Sequence, residues 1–381
     1  MGGTRFAGTS PAGRAAQGRR YRRRRRDAQG ASRQRQKHRH EDVQLRGDMT
    51  MKIRTRITTL AACLVTAAAT FTGVAQASPE VTLKLAHVQP ETHAFHKGSV
   101  KFAETLKEVS GGKMEVQIFP NGVMGNERDL LEALQIGSLD LVTVTSALTS
   151  KFSTNYQVFS LPFLFDSYED AFRVMDDPEI RGSLGEKLIG KGIRPVAYWI
   201  GGARSYYGRS EVENLPDFQG KKVRTMEDPY YLATWKSLGA IPTPLPFGEV
   251  YSALQTGLVD GAEGAINTYV SKKFYESAPH VAMVNYVYSI QPLHIAESRW
   301  KKLSEQQREW VKQAADASST FERQIILDED RKMNDTLASH GVQVTRPDIG
   351  PLREAVAPVY EKFRKEFGDE AYSLVEQIRK D

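Results

Sequence analysis

Apolar and polar residues alternate with two different periods along this chain, and the switches between them predict its secondary structure. Short apolar runs predict strands, and segments with an apolar residue every three to four positions predict helices. In the first half, strands are predicted at 81–87, 114–119 and 139–144, and helices at 95–109 and 127–136. Short strands and helices that alternate through Gly-containing joints are typical of an α/β fold with a mostly parallel, doubly wound sheet.

A second alternation of the same kind begins near residue 193. It predicts strands at 193–200 and 221–226, a helix around 230–238, and a long strand at 281–297 that returns between the two halves. From 304 onward the pattern is almost purely helical. The segment 305–340 is long enough to lie across both halves.

One phrase occurs twice, once in each alternation. "EALQIGSLD" at 132–140 and "SALQTGLVD" at 252–260 align at an offset of 120 positions. Each predicts an apolar-periodic helix, a Gly that ends it, and a short strand. Because Gly is the favoured residue after any helix, two such connections can look alike by coincidence. The alternative is that two lobes share a related build.

Charge is distributed very unevenly along the sequence. The full chain carries +6, but residues 1–50 hold 14 Lys and Arg against four acidic residues, and residues 51–77 add three more basic residues. The remainder, 78–381, is therefore acidic, with a net charge of −7. The Arg-rich tract at 19–26 is not evidence that the folded part binds nucleic acid.

The segment 51–77 reads as a secretory signal peptide. A basic start is followed by a short apolar stretch and by Ala75-Gln76-Ala77, which predicts cleavage after Ala77. Residues 1–50 are then expected to be an upstream extension from a mis-called start. No later segment is long and apolar enough to predict a membrane span.

The single cysteine, Cys63, lies in "LAAC", which resembles a lipoprotein cleavage box. Too little apolar sequence precedes it and a long stretch follows it, so cleavage after Ala77 is favoured. The exported chain would then contain no disulfide and no thiolate chemistry.

The exported part, about 300 residues, exceeds what one hydrophobic core usually supports. We therefore expect two lobes. The first comprises 78–202 and 290–330, and the second comprises 203–289 and 331–381.

Motifs for nucleotide binding, nucleophilic catalysis or metal binding are missing from the sequence. There is no P-loop, no dinucleotide-binding fingerprint, no nucleophile elbow and no cysteine cluster. His87, His93 and His96 come close to a metal-ligand spacing, but only Glu91 could complete the set. The sequence predicts no metal and no cofactor.

Arginines beside aromatic residues remain as candidate chemistry. Arg204 follows "YWIGGA" and Arg224 ends the predicted strand "GKKVR". A guanidinium at a strand end that faces a cleft can bind a carboxylate. Each arginine alone could equally form an ion pair at the surface or between the lobes.

Several phrases together resemble the DctP-type solute-binding proteins of tripartite ATP-independent periplasmic (TRAP) transporters. The resemblance covers essentially all of 80–381 and rests on "FPNGVMGNERDLLEALQIGSLDLV", "LPFLF", "GKKVR", "PTPLPFGEVYSALQTGLVDGAEG" and "KKFYE". It implies a two-lobed periplasmic binding protein of the type II-like α/β fold, with lobes joined by shared strands and a long C-terminal helix spanning both. It also implies an organic-acid ligand and membrane subunits as partners.

The resemblance assigns roles to individual residues. Arg224 matches the arginine that pairs with the ligand carboxylate, Arg204 the arginine that assists it, and Phe247 an aromatic residue against the ligand. The family often has Asn where this chain has Gly264, with Asn267 as a possible substitute. Other predicted polar contacts are Thr145, His87 and Tyr206.

The identity of the acid stays open. C4-dicarboxylates, keto acids, aromatic acids and sugar acids all fit the sequence. Sialic acid is disfavoured, because sialic-acid-binding members have Glu where Thr145 stands and Arg where Leu148 stands.

Two other classes of function were weighed. A hydrolase or lyase could use Glu263 or Glu249 as a base, but a carboxylate beside two arginines should have a depressed pKa and be a poor base near neutrality. A nucleic-acid or interaction protein could use the Arg-rich tract at 19–26, which cleavage after Ala77 would remove.

Overall fold

One mixed sheet of nine strands runs through residues 78–379, the part of the chain that the computed structural model describes. The strands are β1 (Val81–Ala86), β2 (Met114–Phe119), β3 (Leu141–Thr143), β4 (Ile193–Gly208), β5 (Lys222–Thr225), β6 (Ile241–Pro244), β7 (Gly261–Ala265), β8 (His280–Ala296) and β9 (Gln343–Thr345). The predicted extension at 1–50, the signal peptide at 51–77 and Cys63 lie outside the described residues.

Helices connect these strands and cover the sheet. They are α1 (Ala94–Val109), α2 (Glu127–Gln135), α3 (Ser146–Thr149), α4 (Tyr168–Asp176), α5 (Pro178–Ile189), α6 (Pro229–Ser237), α7 (Val250–Thr256), α8 (Ile266–Ser271), α9 (Glu297–Lys302), α10 (Glu305–Arg331), α11 (Met333–Ser339), α12 (Ile349–Ala355) and α13 (Ala357–Arg379). α13 is kinked at Gly368, whose φ is 81°. Within the described residues, no helix combines the length and the apolar character needed to span a bilayer.

The repeated phrase marks equivalent positions in two similar units. β1 lies between β2 and β3 with parallel pairing, and β5 lies between β6 and β7 in the same way. At the end of each phrase, an aspartate accepts a hydrogen bond from a strand backbone N–H: Asp140 from Lys84 at 2.9 Å, and Asp260 from Lys222 at 2.8 Å. Shared topology and shared bonds argue for related lobes rather than coincidence.

Both glycines of the phrase require the left-handed backbone region. Gly137 has φ 75° and Gly257 has φ 73°, backbone angles that residues with a Cβ atom rarely adopt. Each glycine ends its helix and turns the chain toward the following strand.

Two long central strands, β4 and β8, join the units. The sheet order is β2-β1-β3-β8-β4-β7-β5-β6, and β8 pairs antiparallel with β3 and β4. The expectation of a mostly parallel sheet therefore needs correction: the two outer parts are parallel and the centre is antiparallel. β4 has 16 residues and β8 has 17, so each strand is long enough to run from one unit into the other.

The predicted lobe boundaries cross β4 and β8 at the same place. Gly202 pairs with Ser289 next to an irregularity in the register, and Gly202 has φ 96°. The boundary at 202/203 therefore lies within one residue of the boundary at 289/290 across the β4–β8 pairing, and the assignment of whole segments to lobes stays a prediction.

The predicted helix at 305–340 is two helices, α10 and α11. α10 lies against α1 and β4, where its small residues Ala314 and Ala315 pack into a cluster with Phe102 and Trp199. Farther along, Lys97 of α1 forms an ion pair with Glu329 at 3.2 Å. α10 thus holds the first unit and the central strands in place.

Candidate functional site

A cavity lies where the carboxyl ends of β1, β3, β5 and β7 meet the middle of β4 and β8. Ligands of open α/β sheets bind at such strand ends. The space between the lining atoms, together with the part that is open to solvent, amounts to about 490 Å³. The lining residues are Gln89, Phe95, Glu127, Thr145, Gly201, Arg204, Tyr207, Arg224, Met226, Phe247, Glu263, Gly264, Ala265, Thr268, Ser289 and Gln291.

Arg204 is bound to a buried carboxylate in the cavity wall. Its Nε and Nη2 lie 2.8 and 2.7 Å from Glu263 Oε2, and Tyr286 donates its hydroxyl to the same oxygen at 2.5 Å. Burial is the largest single influence and lowers the pKa of Arg204, but Glu263, Tyr231 and Tyr286 together raise it by more, so the net shift is upward. The positive charge of Arg204 is therefore matched within the protein.

Arg224 lacks such a match. Its Nε and Nη2 donate to the carbonyl oxygen of Leu245 at 3.0 and 2.7 Å, while its Nη1 stays 3.8 Å from Glu263 Oε1. Burial lowers the pKa of Arg224, and Glu263 only partly offsets this. Nη1 forms no hydrogen bond with any described residue, so this buried guanidinium can still donate to an incoming carboxylate.

A second carboxyl group, Glu127, lies across the cavity. Its Oε1 accepts a hydrogen bond from the backbone N–H of Thr145 at 3.0 Å. Burial raises the pKa of Glu127, and the Thr145 N–H, Arg204 and Arg224 act in the opposite direction. The site therefore contains two arginines, one paired carboxylate and one carboxyl group whose burial favours protonation.

Tyr207 fills the space that a side chain at position 264 would occupy. A Cβ added to Gly264 would lie 2.8 Å from the Tyr207 hydroxyl oxygen. Among the described residues, no group forms a hydrogen bond with that hydroxyl. The glycine allows the Tyr207 hydroxyl to lie beside position 264, where the sequence resemblance predicts Asn.

The prediction for Tyr206 needs correction. Its ring lies in the core with Phe218 and Trp235, 5.4 and 6.0 Å away between ring centroids, and does not line the cavity. Strand alternation would put Tyr206 on the same face as Arg204. The register of β4 against β8 shifts between these two residues, and Tyr207 lines the cavity instead.

His87 and Asn267 are near the cavity but do not line it. His87 is buried beside His96, with 3.2 Å between Nε2 and Nδ1, and burial lowers the pKa of His87 to about 3. Asn267 lies behind Thr268, and its Oδ1 accepts the Thr268 backbone N–H at 2.9 Å. Neither side chain is positioned for direct contact with a ligand in the cavity.

Phe247 stands at the edge of the cavity. It also lines a second cavity, which shares Glu127, Arg224 and Met226 with the first. The ammonium of Lys272 lies 5.3 Å from the centre of the Phe247 ring and donates to the carbonyl oxygen of Val88 at 3.1 Å. These contacts connect the turn before α7, the residue that follows α8 and the segment after β1.

The structure also places the candidate metal ligands and the two glutamates that were considered as catalytic bases. Within the described residues, no three His, Cys, Asp or Glu side chains form a group that could hold a metal ion. Glu263 accepts bonds from Arg204 and Tyr286 on one oxygen and from the Met226 N–H at 3.3 Å on the other. Glu249 is exposed and lies outside the cavity.

Sequence reasoning missed several lining residues, among them Glu127, Gln89, Thr268, Ser289 and Gln291. Glu127 begins the predicted helix at 127–136, and Gln89 lies two residues after the predicted strand at 81–87. Their positions at the ends of these elements could have indicated them. Ser289 and Gln291 lie inside β8. They face the cavity because of the way β8 pairs with β4, which the sequence pattern does not indicate.

Comparison with known proteins gives one family. The family model "Bacterial extracellular solute-binding protein, family 7", DctP, matches residues 85–366. The chain is 33% identical over 306 residues to a solute-binding protein of Roseobacter denitrificans, which covers 80% of this chain and 93% of that protein.

Two solved structures are similar in fold and in sequence. The sugar acid binding protein DctPAm of Advenella mimigardefordensis, in complex with galactonate, is 32% identical with a TM-score of 0.76, covering 80% of this chain and 98% of that one. A TRAP periplasmic solute-binding protein from Polaromonas, bound to D-erythronate, is 31% identical with a TM-score of 0.76, covering 78% and 99%.

Proposed function

Because the chain belongs to family 7 of the bacterial extracellular solute-binding proteins, the DctP family, we propose that it captures a hydroxylated monocarboxylate, such as a sugar acid, in the periplasm. The membrane subunits of a TRAP transporter would receive it. The cavity takes the acid between the two lobes, and the chain itself catalyses no reaction.

The difference between Arg204 and Arg224 carries this proposal. Arg204 is neutralised by Glu263, whereas Arg224 keeps a free Nη1 group 3.8 Å from the nearest carboxylate oxygen. Burial raises the pKa of Glu127, and uptake of the acid together with a proton on Glu127 would leave the cavity with one net positive charge. One unmatched charge suits a single carboxylate better than two.

Unpaired polar atoms support a hydroxylated ligand. Gln89 Oε1 and Thr145 Oγ1 are buried without a hydrogen-bond partner among the described residues, and both residues line the cavity. Leaving such atoms unsatisfied costs about 1–3 kcal/mol each. Ligand hydroxyl groups would supply the missing partners, and the two solved relatives carry polyhydroxy acids, galactonate and erythronate.

Capture follows from the same geometry. The carboxylate pairs with Arg224, and closure of the lobes removes water and lowers the local dielectric, which strengthens the ion pair. Contacts across the opening, such as Lys272 with the Val88 carbonyl at 3.1 Å, stabilise the closed form. The closed form is what the membrane subunits would recognise.

A thermal-shift comparison of three related compounds tests the proposal. Galactonate has one carboxylate, galactarate has two, and galactitol has none. We expect galactonate at 100 times its dissociation constant to add about 2.7 kcal/mol of stability. Galactitol should give no shift and galactarate a smaller one. A shift with galactitol, or a larger shift with galactarate, contradicts the proposed single carboxylate.

Two further parts of the proposal have direct tests. Mass spectrometry of the exported protein should give an N-terminus at Ser78, which would support the signal peptide at 51–77 and export to the periplasm. Galactonate released from the protein should be recovered unchanged. Recovery of a converted product would favour the hydrolase or lyase alternative.

A further inference from the structure

A buried histidine stands directly behind the cavity wall. His93 precedes the first turn of α1, and its Nδ1 accepts a hydrogen bond from the backbone N–H of Phe95 at 3.1 Å. Its Nε2 lies 3.0 Å from the hydroxyl oxygen of Thr268 in α8. His93 is 1% exposed and does not line the cavity, whereas Thr268 does.

The contact with Phe95 determines which ring nitrogen carries the proton. Burial, the largest cause, holds the pKa of His93 well below its usual value, so the ring is neutral and has one N–H. Nδ1 must be unprotonated to accept the Phe95 N–H. The proton is therefore on Nε2, which donates to Thr268 Oγ1.

Asn267 does not alter this assignment. Its Oδ1 accepts the backbone N–H of Thr268 at 2.9 Å, which fixes the orientation of the amide. Its Nδ2 then lies 3.5 Å from His93 Nε2, and two donors at this distance form no hydrogen bond.

Thr268 is left with a hydrogen to donate. Its oxygen accepts from His93, and no other described residue accepts the Thr268 hydroxyl hydrogen. We propose that His93 is a positioning residue that makes Thr268 a hydrogen-bond donor to an acceptor oxygen of the bound acid. This inference rests on the proposed function, and it adds that the site selects acids with an acceptor oxygen at that point.

A double-mutant cycle tests the coupling. Thr268→Val removes the hydroxyl and should weaken galactonate binding roughly tenfold in calorimetry. His93→Asn keeps an N-cap residue for α1 but is too short to reach Thr268, and should weaken binding several-fold. Because His93 acts through Thr268, the double variant should bind no more weakly than Thr268→Val alone. Thr268→Ser should restore most of the affinity.

The ligand side of the contact can be varied as well. Among singly deoxygenated galactonates, one should bind the wild type about tenfold more weakly yet bind Thr268→Val as well as galactonate does. The keto acid with a carbonyl at that carbon can only accept a hydrogen bond there. It should bind the wild type more tightly than Thr268→Val by about the same factor as galactonate does.

Two results would overturn the inference. One is additive losses for His93→Asn and Thr268→Val, which would mean that His93 acts independently of Thr268. The other is an Nδ1-protonated His93 ring in ¹⁵N NMR spectra of the ligand-free protein. The spectra need no ligand, so they decide the direction of the hydrogen bond even if wild-type protein binds none of the acids, a result that would reject the proposed function instead.

Discussion

At the scale of single side chains, Arg204 and Arg224 show that the neighbouring groups determine whether a buried arginine is available to a ligand. Both are almost fully buried, at 7% and 3% exposure, and both face the same cavity. Glu263 holds one guanidinium at 2.7 Å and leaves the other at 3.8 Å. The first is part of the wall, and the second is available to a ligand.

Gly264 and Tyr207 should be coupled in binding. Gly264→Ala would place a methyl group 2.8 Å from the Tyr207 hydroxyl oxygen and displace the ring. We expect several-fold weaker binding of galactonate, measured by calorimetry. Tyr207→Phe should also weaken binding, through loss of one hydrogen bond.

The combination is the sharper measurement for this pair. Without the hydroxyl, the nearest atom to the added methyl group is Cε1 of the ring at 3.2 Å instead of the oxygen at 2.8 Å, so Gly264→Ala should weaken binding by a smaller factor once Tyr207→Phe is present. Equal losses from Gly264→Ala in both backgrounds would show that Tyr207 is not what the glycine accommodates.

Residue types and their positions could be predicted here, but not their partners. Arg204, Arg224, Phe247 and Thr145 were predicted from the sequence and do line one cavity. The sequence placed Glu263 beside the two arginines only as a possible catalytic base and did not indicate that it would pair with Arg204. Their contact depends on the antiparallel pairing of β4 with β7.

At the scale of elements, the hydrophobic periodicity and the turn residues predicted most helix and strand boundaries well. α2 (Glu127–Gln135) and β2 (Met114–Phe119) agree with the sequence pattern to within a residue. β4 was predicted to end at 200 but continues to Gly208 through two glycines and an irregular register. Periodicity carries no signal for such a shift, and Tyr206, which was predicted as a ligand contact, lies in the core instead.

The N-cap of α6 should make stability depend on pH. Asp228 accepts the N–H groups of Tyr230 and Tyr231 at 2.8 and 3.0 Å. Burial nevertheless raises the pKa of Asp228 from 3.8 to about 6. A raised pKa in the folded state favours the protonated form, so its stabilising effect is complete below about pH 3.8 and is lost as pH rises through 6.

Asp228→Asn tests this cap. Asn keeps the N-cap bonds without a charge to bury. Near neutral pH we expect the variant to be more stable than wild type, by up to about 3 kcal/mol in urea unfolding. The gain should disappear near pH 4. A variant that is less stable at neutral pH would show that the ionised carboxylate is needed.

At the scale of the whole molecule, the sequence repeat predicts two lobes of related build. The parallel groups β2-β1-β3 and β6-β5-β7 are the physical basis of that repeat. The antiparallel centre was not predictable in the same way, because long-range pairing leaves no periodic trace in β4 or β8. The cavity forms only where the two groups and this centre meet.

Closure of the lobes should appear in binding kinetics. Phe247 lines both cavities at the opening and lies under the Lys272 ammonium, 5.3 Å from it. Phe247→Ala should raise the dissociation rate of galactonate several-fold in stopped-flow measurements. The association rate should change little, because encounter depends on charge and release on the cover. A slower association rate with unchanged dissociation would remove Phe247 from this role.

The claim that Arg224 captures the ligand carboxylate is tested most directly by calorimetric titration of Arg224→Lys with galactonate. A lysine keeps the charge but cannot both bond the Leu245 carbonyl oxygen and present a planar donor group to the cavity. The lost charge-assisted bond is worth on the order of 1.5–3 kcal/mol, a roughly tenfold to hundredfold increase in the dissociation constant. The ligand-free melting temperature should stay near that of the wild type, whereas Arg204→Lys should lower it, because a lysine cannot replace both N–H groups that Arg204 places on the buried Glu263 carboxylate. A wild-type isotherm for Arg224→Lys would contradict the account.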